Sequence, residues 1–183
     1  MLKQGKRLYE NNLGIEYGEG KLSEYITGGG KCLLQKNYGE DYDCTLTSLA
    51  SMFGEEHYDL IESCAKKFGY NGKKTGTSPL VIKSLMQKVM KELGIKGKCF
   101  GRYGKGVSFN YSGIERLLKR GHKIVLNMTG DGRGYYKNHS VLIVGVAKYG
   151  KHRLLAVYDN WNLGISFVDY DKMCPICSIN WYE

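Results

Sequence analysis

The hydrophobic pattern changes period part-way along the chain, and that change restricts the folds open to it. Up to about Gly121 apolar residues recur at helical spacing, and beyond it they fall in short β-rich runs. Glu55 to Phe68 places Tyr58, Ile61, Ala65 and Phe68 on one helical face and stops at Gly69. Thr77-Ser78-Pro79 offers a cap and an N1 proline to a second helix, whose buried stripe is Leu85, Met86, Val89, Met90 and Leu93 and whose stop is Gly94. Ser112 and Glu115 have capping-box spacing for a shorter helix running through Leu117 and Leu118 to Gly121. The β-rich runs are Lys123 to Met128, His139 to Ala147, Arg153 to Tyr158, Ile165 to Asp169 and Ser178 to Tyr182, joined by short connections. Helices followed by strands predict an α+β fold with a largely antiparallel sheet in sequence order, and argue against alternating βαβ units.

The expected organisation is one domain over residues 1–183: an N-terminal arm over 1–30, a helical part over 31–121 and an antiparallel sheet part over 122–183. The glycine-rich stretches Gly101 to Gly106 and Gly130 to Gly134 read as loops, and Thr27-Gly28-Gly29-Gly30-Lys31 as a flexible linker. No stretch approaches the roughly 20 apolar residues that span a bilayer, and no apolar segment follows the first residues, so the sequence reads as cytoplasmic by default, or secreted if a leader was trimmed.

The net charge of +9 invites a nucleic-acid reading, yet Lys and Arg are scattered singly or in pairs such as Lys66-Lys67 and Lys119-Arg120. Neither a basic arm nor a zinc-finger or RNP-like motif is present, so specific nucleic-acid binding is not expected; a basic solvated face favours acidic substrates or anionic surfaces. Six cysteines in 183 residues are too few and too irregular for a disulfide scaffold. Cys174-Pro175-Ile176-Cys177 has redox or metal spacing, but no second such pair completes a four-cysteine zinc site, so neither metal nor cofactor is expected.

Cys44 is the residue with the clearest chemistry. It stands where a loop ending in Tyr42-Asp43 meets the helix-like run Thr45 to Phe53. Unpaired N–H groups and the helix dipole favour thiolate at a helix start, and thiolate is the nucleophile. A thiol nucleophile needs a base, and the base needs an orienting group. His139 opens a strand directly after a loop, at a sheet edge; His57, His122 and His152 lie in turns or a hairpin. The following strand returns to Tyr158-Asp159-Asn160-Trp161, which an antiparallel hairpin sets beside His139, so Asp159 is the expected orienter. Gln35, before the loop to Cys44, can supply a side-chain amide to an oxyanion alongside the Cys44 N–H. Asp43 is expected to cap the helix, with its carboxylate turned away from the thiol.

Glutamine, loop, Asp-Cys at a helix start, a helical region, a His-x-Val-x-x-Val-Gly strand and Asp-Asn-Trp after the next strand together resemble the papain-like cysteine peptidases, most closely the C39-like, bacteriocin-processing group. The resemblance spans roughly Cys32 to Asp169. It implies a papain-like cysteine proteinase fold, with the helical part carrying the nucleophile and packed on the sheet. It also implies hydrolysis of a peptide or isopeptide bond in a peptide or protein substrate by Cys44, His139, Asp159 and Gln35. The sequence departs from that group after the nucleophile, where Thr45-Leu46 replaces the frequent Gly-Pro or Gly-Leu. Two other uses of such a site remain open: a catalytically silent peptide-binding module, and a transglutaminase-like acyltransferase.

Overall fold

The computed structural model describes residues 22–27, 29–35, 42–129, 136, 138–173 and 176–183. The arm up to residue 21, the glycines at 28 and 130–134, and Cys174 of the CxxC pair lie outside the described residues. Strand β1 (Leu22–Thr27) comes first, then helices α1 (Cys44–Phe53), α2 (Tyr58–Lys66) and α3 (Ile82–Glu92). Strand β2 (Cys99–Tyr103) and helix α4 (Tyr111–Lys119) follow. The chain then closes the sheet with β3 (Ile124–Met128), β4 (His139–Tyr149), β5 (His152–Tyr158), β6 (Ser166–Asp169) and β7 (Cys177–Tyr182). The α+β expectation holds, and every strand pair is antiparallel.

The strand order is β2-β7-β3-β4-β5-β6, with β1 paired to the distal half of β4. Sequence order therefore fails at two places. β7 inserts between β2 and β3, with Asn180 opposite both Gly101 and Val125. β3 is buried along its whole length, so its outer backbone groups need a partner strand rather than water, and β7 supplies it. The second failure is β2 itself, which runs from Cys99 into the stretch read as a glycine loop and takes up its first three residues, Gly101 to Tyr103. Gly101 serves there because a Cβ would come within 2.8 Å of the Asn180 Oδ1 on the neighbouring strand.

Two cores flank the sheet. α1, α2 and α3 bury Leu46, Leu49, Ile61, Leu85, Met86 and Met90 against Leu142 and Val144 on one face. On the other face α4 buries Tyr111, Ile114 and Leu118 against Leu126, Val141 and Ile143. Covering both faces explains why Val141-Leu142-Ile143-Val144 is continuously apolar instead of alternating. The helix starts differ in detail from expectation. Asn110, not Ser112, caps α4 by accepting from the Gly113 N–H at 2.8 Å, and Glu115 instead pairs with Lys119 at 2.6 Å.

The glycine run before α1 is not a free linker where it is described. Gly30 has φ of +138°, and a Cβ there would lie 2.4 Å from Leu142 Cδ2, so the backbone crosses tightly over the seam between α1 and β4. Lys31 N–H then donates to Ser51 O at 3.1 Å, which fastens the segment leading to Gln35 onto α1. No helix among the described residues is long and apolar enough to cross a membrane.

Candidate active site

α1 begins at Cys44, as the sequence predicts, but Asp43 does not cap it with its side chain. With φ of −93° and ψ of 12°, Asp43 lacks the extended cap conformation, and its carboxylate turns into the protein, where the residue is 1% exposed. Oδ1 accepts from Gln35 Nε2 at 2.6 Å, and Oδ2 accepts from the Tyr58 hydroxyl at 2.7 Å. Two charge-assisted bonds inside the protein outweigh one cap bond at its edge. Burial, followed by the Asp43 carboxylate, pushes the Tyr58 phenol well above its ordinary range.

The same contact fixes Gln35. Its amide nitrogen faces Asp43, which settles which end of the amide carries the donors, and its backbone N–H donates to Asn160 O at 2.9 Å. Gln35 Oε1 is buried with no hydrogen-bond partner among the described residues.

The Cys44 sulfur lies against the start of β4. The Ser140 and Thr45 N–H groups and the Ser140 hydroxyl favour its thiolate, but burial raises the thiol pKa more than they lower it, and the Asp43 charge adds to the rise. The Ser140 hydroxyl is shared with Thr45 Oγ1 at 2.8 Å and accepts from Asn127 Nδ2 at 2.9 Å. Cys44, Thr45 and Asn127 line a cleft of about 460 Å³ completed by Tyr42, the 74–79 segment, Thr129 and Asn138.

His139 is buried at 3% exposure, with its ring 4.1 Å from Trp161 and stacked on Tyr136 at 5.4 Å. Its Nε2 bonds to the main-chain oxygen of Asp159 at 2.8 Å. A carbonyl only accepts, so Nε2 carries the proton and the neutral ring leaves Nδ1 as the lone-pair nitrogen. Burial lowers the imidazole from 6.5 to about 4, against the opposing pull of Asp159 and Asp43. Ser140 and Leu142 share the α1 face of β4, while Val141 and Ile143 share the other, and by strand alternation His139 starts on that second face. Among the described residues no hydrogen bond joins the Cys44 thiol to His139.

The Asp159 carboxylate is occupied elsewhere. It accepts from the Tyr136 hydroxyl at 3.0 Å, the Ser166 hydroxyl at 2.9 Å and the backbone N–H groups of Trp161 and Asn162 at 3.1 and 3.2 Å. It therefore shapes the turn after β5, and the main chain of the same residue takes the position at the imidazole. Asn160, next in sequence, ties the site together: its Nδ2 donates to Ser48 Oγ at 2.8 Å, Ser140 O at 3.0 Å and Cys44 O at 3.2 Å. Among the described residues the non-glycine positions with left-handed backbone are Asn138 and Asn160, which directly precede His139 and follow Asp159.

No family model and no curated protein matches the chain. Among solved structures it is similar to digestive procathepsin L 3 of Tenebrio molitor larval midgut, with a TM-score of 0.55 and 11% identity over 86% of this chain and 69% of that one. The chain has the papain-like cysteine proteinase fold.

Within this papain-like fold the four residues singled out from the sequence meet only in part. Cys44 reaches β4 through Ser140, Gln35 reaches the residue before Cys44, and His139 reaches Asp159 through the main chain. Sequence reasoning missed Ser140 beside the sulfur, Asn127 bonded to its hydroxyl, and the tie made by Asn160. Strand alternation carried the signal for Ser140, since the residue after His139 must face the opposite side of β4.

Two expected outcomes follow from this geometry. Under the peptidase reading proposed below, Asp159→Asn keeps the carbonyl at the imidazole, so kcat/KM should fall by less than about tenfold, whereas loss of a carboxylate that itself orients a catalytic imidazole costs on the order of 10⁴. Steady-state kinetics on the variant distinguish the two. The second concerns pH. The unfolded chain protonates His139 near 6.5 and the folded chain only near 4, so between these values the unfolded state binds more protons. Stability contributed by the neutral ring is complete above about 6.5 and is lost as pH falls towards about 4, by roughly 3 kcal/mol, which urea titrations across that range measure.

Proposed function

We propose that the chain is a cysteine peptidase of the C39-like type, in which Cys44 is the nucleophile and His139 the base. The observation that supports this most is the Cys44 thiol at the start of α1, open to a cleft and seated against the strand start that carries His139, in a papain-like fold. In the proposed reaction the Sγ–H proton passes by way of one water to His139 Nδ1 as sulfur attacks the peptide or isopeptide carbonyl carbon. The oxyanion takes the Cys44 N–H and the second hydrogen of Gln35 Nε2, whose orientation Asp43 holds. Collapse expels the amine, which takes the proton from the imidazolium. Water then gives its proton to His139, attacks the thioester and releases the acid and the thiol.

A second reading, a silent peptide-binding module, is favoured by the neutral resting pair: a raised thiol, a lowered imidazole and no bond between them. Iodoacetamide separates the readings. A peptidase shows Cys44 alkylated at least tenfold faster than Cys32, Cys64 and Cys99, with the excess lost in His139→Gln; equal, slow rates at all four would sink the catalytic reading. Product analysis with an added amine distinguishes hydrolysis from acyl transfer.

A further inference from the structure

A second cleft, of about 360 Å³, opens beside α4 on the side of the sheet away from Cys44, lined by Arg102, Ser108, Asn110, Arg116, Arg120 and Trp181. No carboxylate lines it. Of the described arginines, Arg153 pairs with Asp171, and the other three converge on this cleft with no ion pair among the described residues. Among the described residues Arg102 Nη1 donates to the Ser108 main-chain oxygen, at 3.3 Å.

Arg116 lies in the last turn of α4 and Arg120 caps its end four residues on, so the two like charges repel unless an anion joins them. The nearby acids are engaged elsewhere: Glu115 with Lys119 at 2.6 Å, and Glu183 with His122 at 3.6 Å and the Trp181 indole N–H at 3.2 Å. Asn110 brings the N-terminus of α4, with its positive dipole end, to the same cleft. Guanidinium forks match phosphate bidentately, and three of them exceed what one carboxylate or monophosphate neutralises.

We propose that this cleft, formed by Arg102, Arg116, Arg120 and the start of α4, binds an oligophosphate group. Such a group is carried by a nucleoside triphosphate or by an inorganic polyphosphate chain.

Isothermal titration of the full chain at about 0.15 M salt tests this with inorganic tripolyphosphate, ATP, adenosine and a 15-residue oligothymidylate. Tripolyphosphate should bind, adenosine should not, and each Arg→Ala change at 102, 116 or 120 should weaken binding about tenfold, while Cys44→Ala and Lys151→Ala leave it unchanged. ATP equal to tripolyphosphate assigns the site to the inorganic chain, and ATP at least tenfold tighter assigns it to a nucleotide; both support an oligophosphate site. Tripolyphosphate binding that survives the triple Arg→Ala change overturns the proposal. So does a loss in Lys151→Ala as large as in the arginine variants, which means bulk charge alone, and so does oligothymidylate binding tighter than tripolyphosphate. Circular dichroism of the variants checks that these exposed positions leave the fold intact.

Discussion

Cys44→Ala is expected to abolish peptide hydrolysis while the protein stays folded. Removing a nucleophile from a site whose parts act as a unit costs on the order of 10⁴ to 10⁶ in kcat, because the base and the oxyanion donors have nothing left to assist. The structural loss is small by comparison. The sulfur contacts the Ser140 and Thr45 N–H groups, and the Ser140 hydroxyl keeps its bonds to Thr45 and Asn127 when the thiol is gone. A melting temperature within a few degrees of the parent, together with loss of all turnover, is the expected pair of results. Full hydrolysis by Cys44→Ala would place the nucleophile elsewhere and end the proposal.

The second large effect is at His139, where activity and stability have to be separated. The ring packs against Tyr136 and Trp161, which also touch each other, and bonds to Asp159 O, so His139→Ala opens a cavity and leaves a buried carbonyl without its donor, at a cost of about 3 kcal/mol. His139→Gln keeps a donor for that carbonyl and much of the volume, but offers no nitrogen lone pair to accept a proton. It should retain most of the stability, lose at least about 10³ in kcat, and remove the fall in stability between about pH 6.5 and 4 that belongs to the imidazole. Turnover measured beside urea titrations at two pH values decides this. If His139→Gln hydrolyses peptides at the parental rate, His139 is a packing residue.

Both predictions depend on a site that the sequence outlines better than it details. Cys44 at a helix start, His139 at a strand start and Asp159 after the next strand follow from local signals: a change of period, a short hairpin and a count of residues back along it. Asp43 and Asp159 differ from expectation for one shared reason. The nearest partner in sequence or register is the α1 cap for Asp43 and the imidazole for Asp159. Each is instead satisfied by groups brought in by the fold: Gln35 and Tyr58 for Asp43, Tyr136 and Ser166 for Asp159. A buried charge takes the set of donors that compensates its lost hydration most fully, and that set is known only once the chain has closed.

The strand order behaves in the same way. Hairpins join β3 to β4, β4 to β5 and β5 to β6 through short connections, so their adjacency is written in the sequence. β7 pairs with β3 and β2 across long stretches of chain, driven by the need of a fully buried β3 for a second partner, and no local signal encodes that. By itself, then, the sequence determined the α+β class, the start of α1 at Cys44 and the adjacency of β3 to β6, because these depend on neighbours a few residues away. The tertiary structure decided the insertion of β7, the use of the Asp159 main chain at His139, the Asn160 tie and the convergence of three arginines on one cleft. Those features depend on which distant groups share a buried or enclosed space, and hydration lost there is recovered only from whatever the fold places within reach.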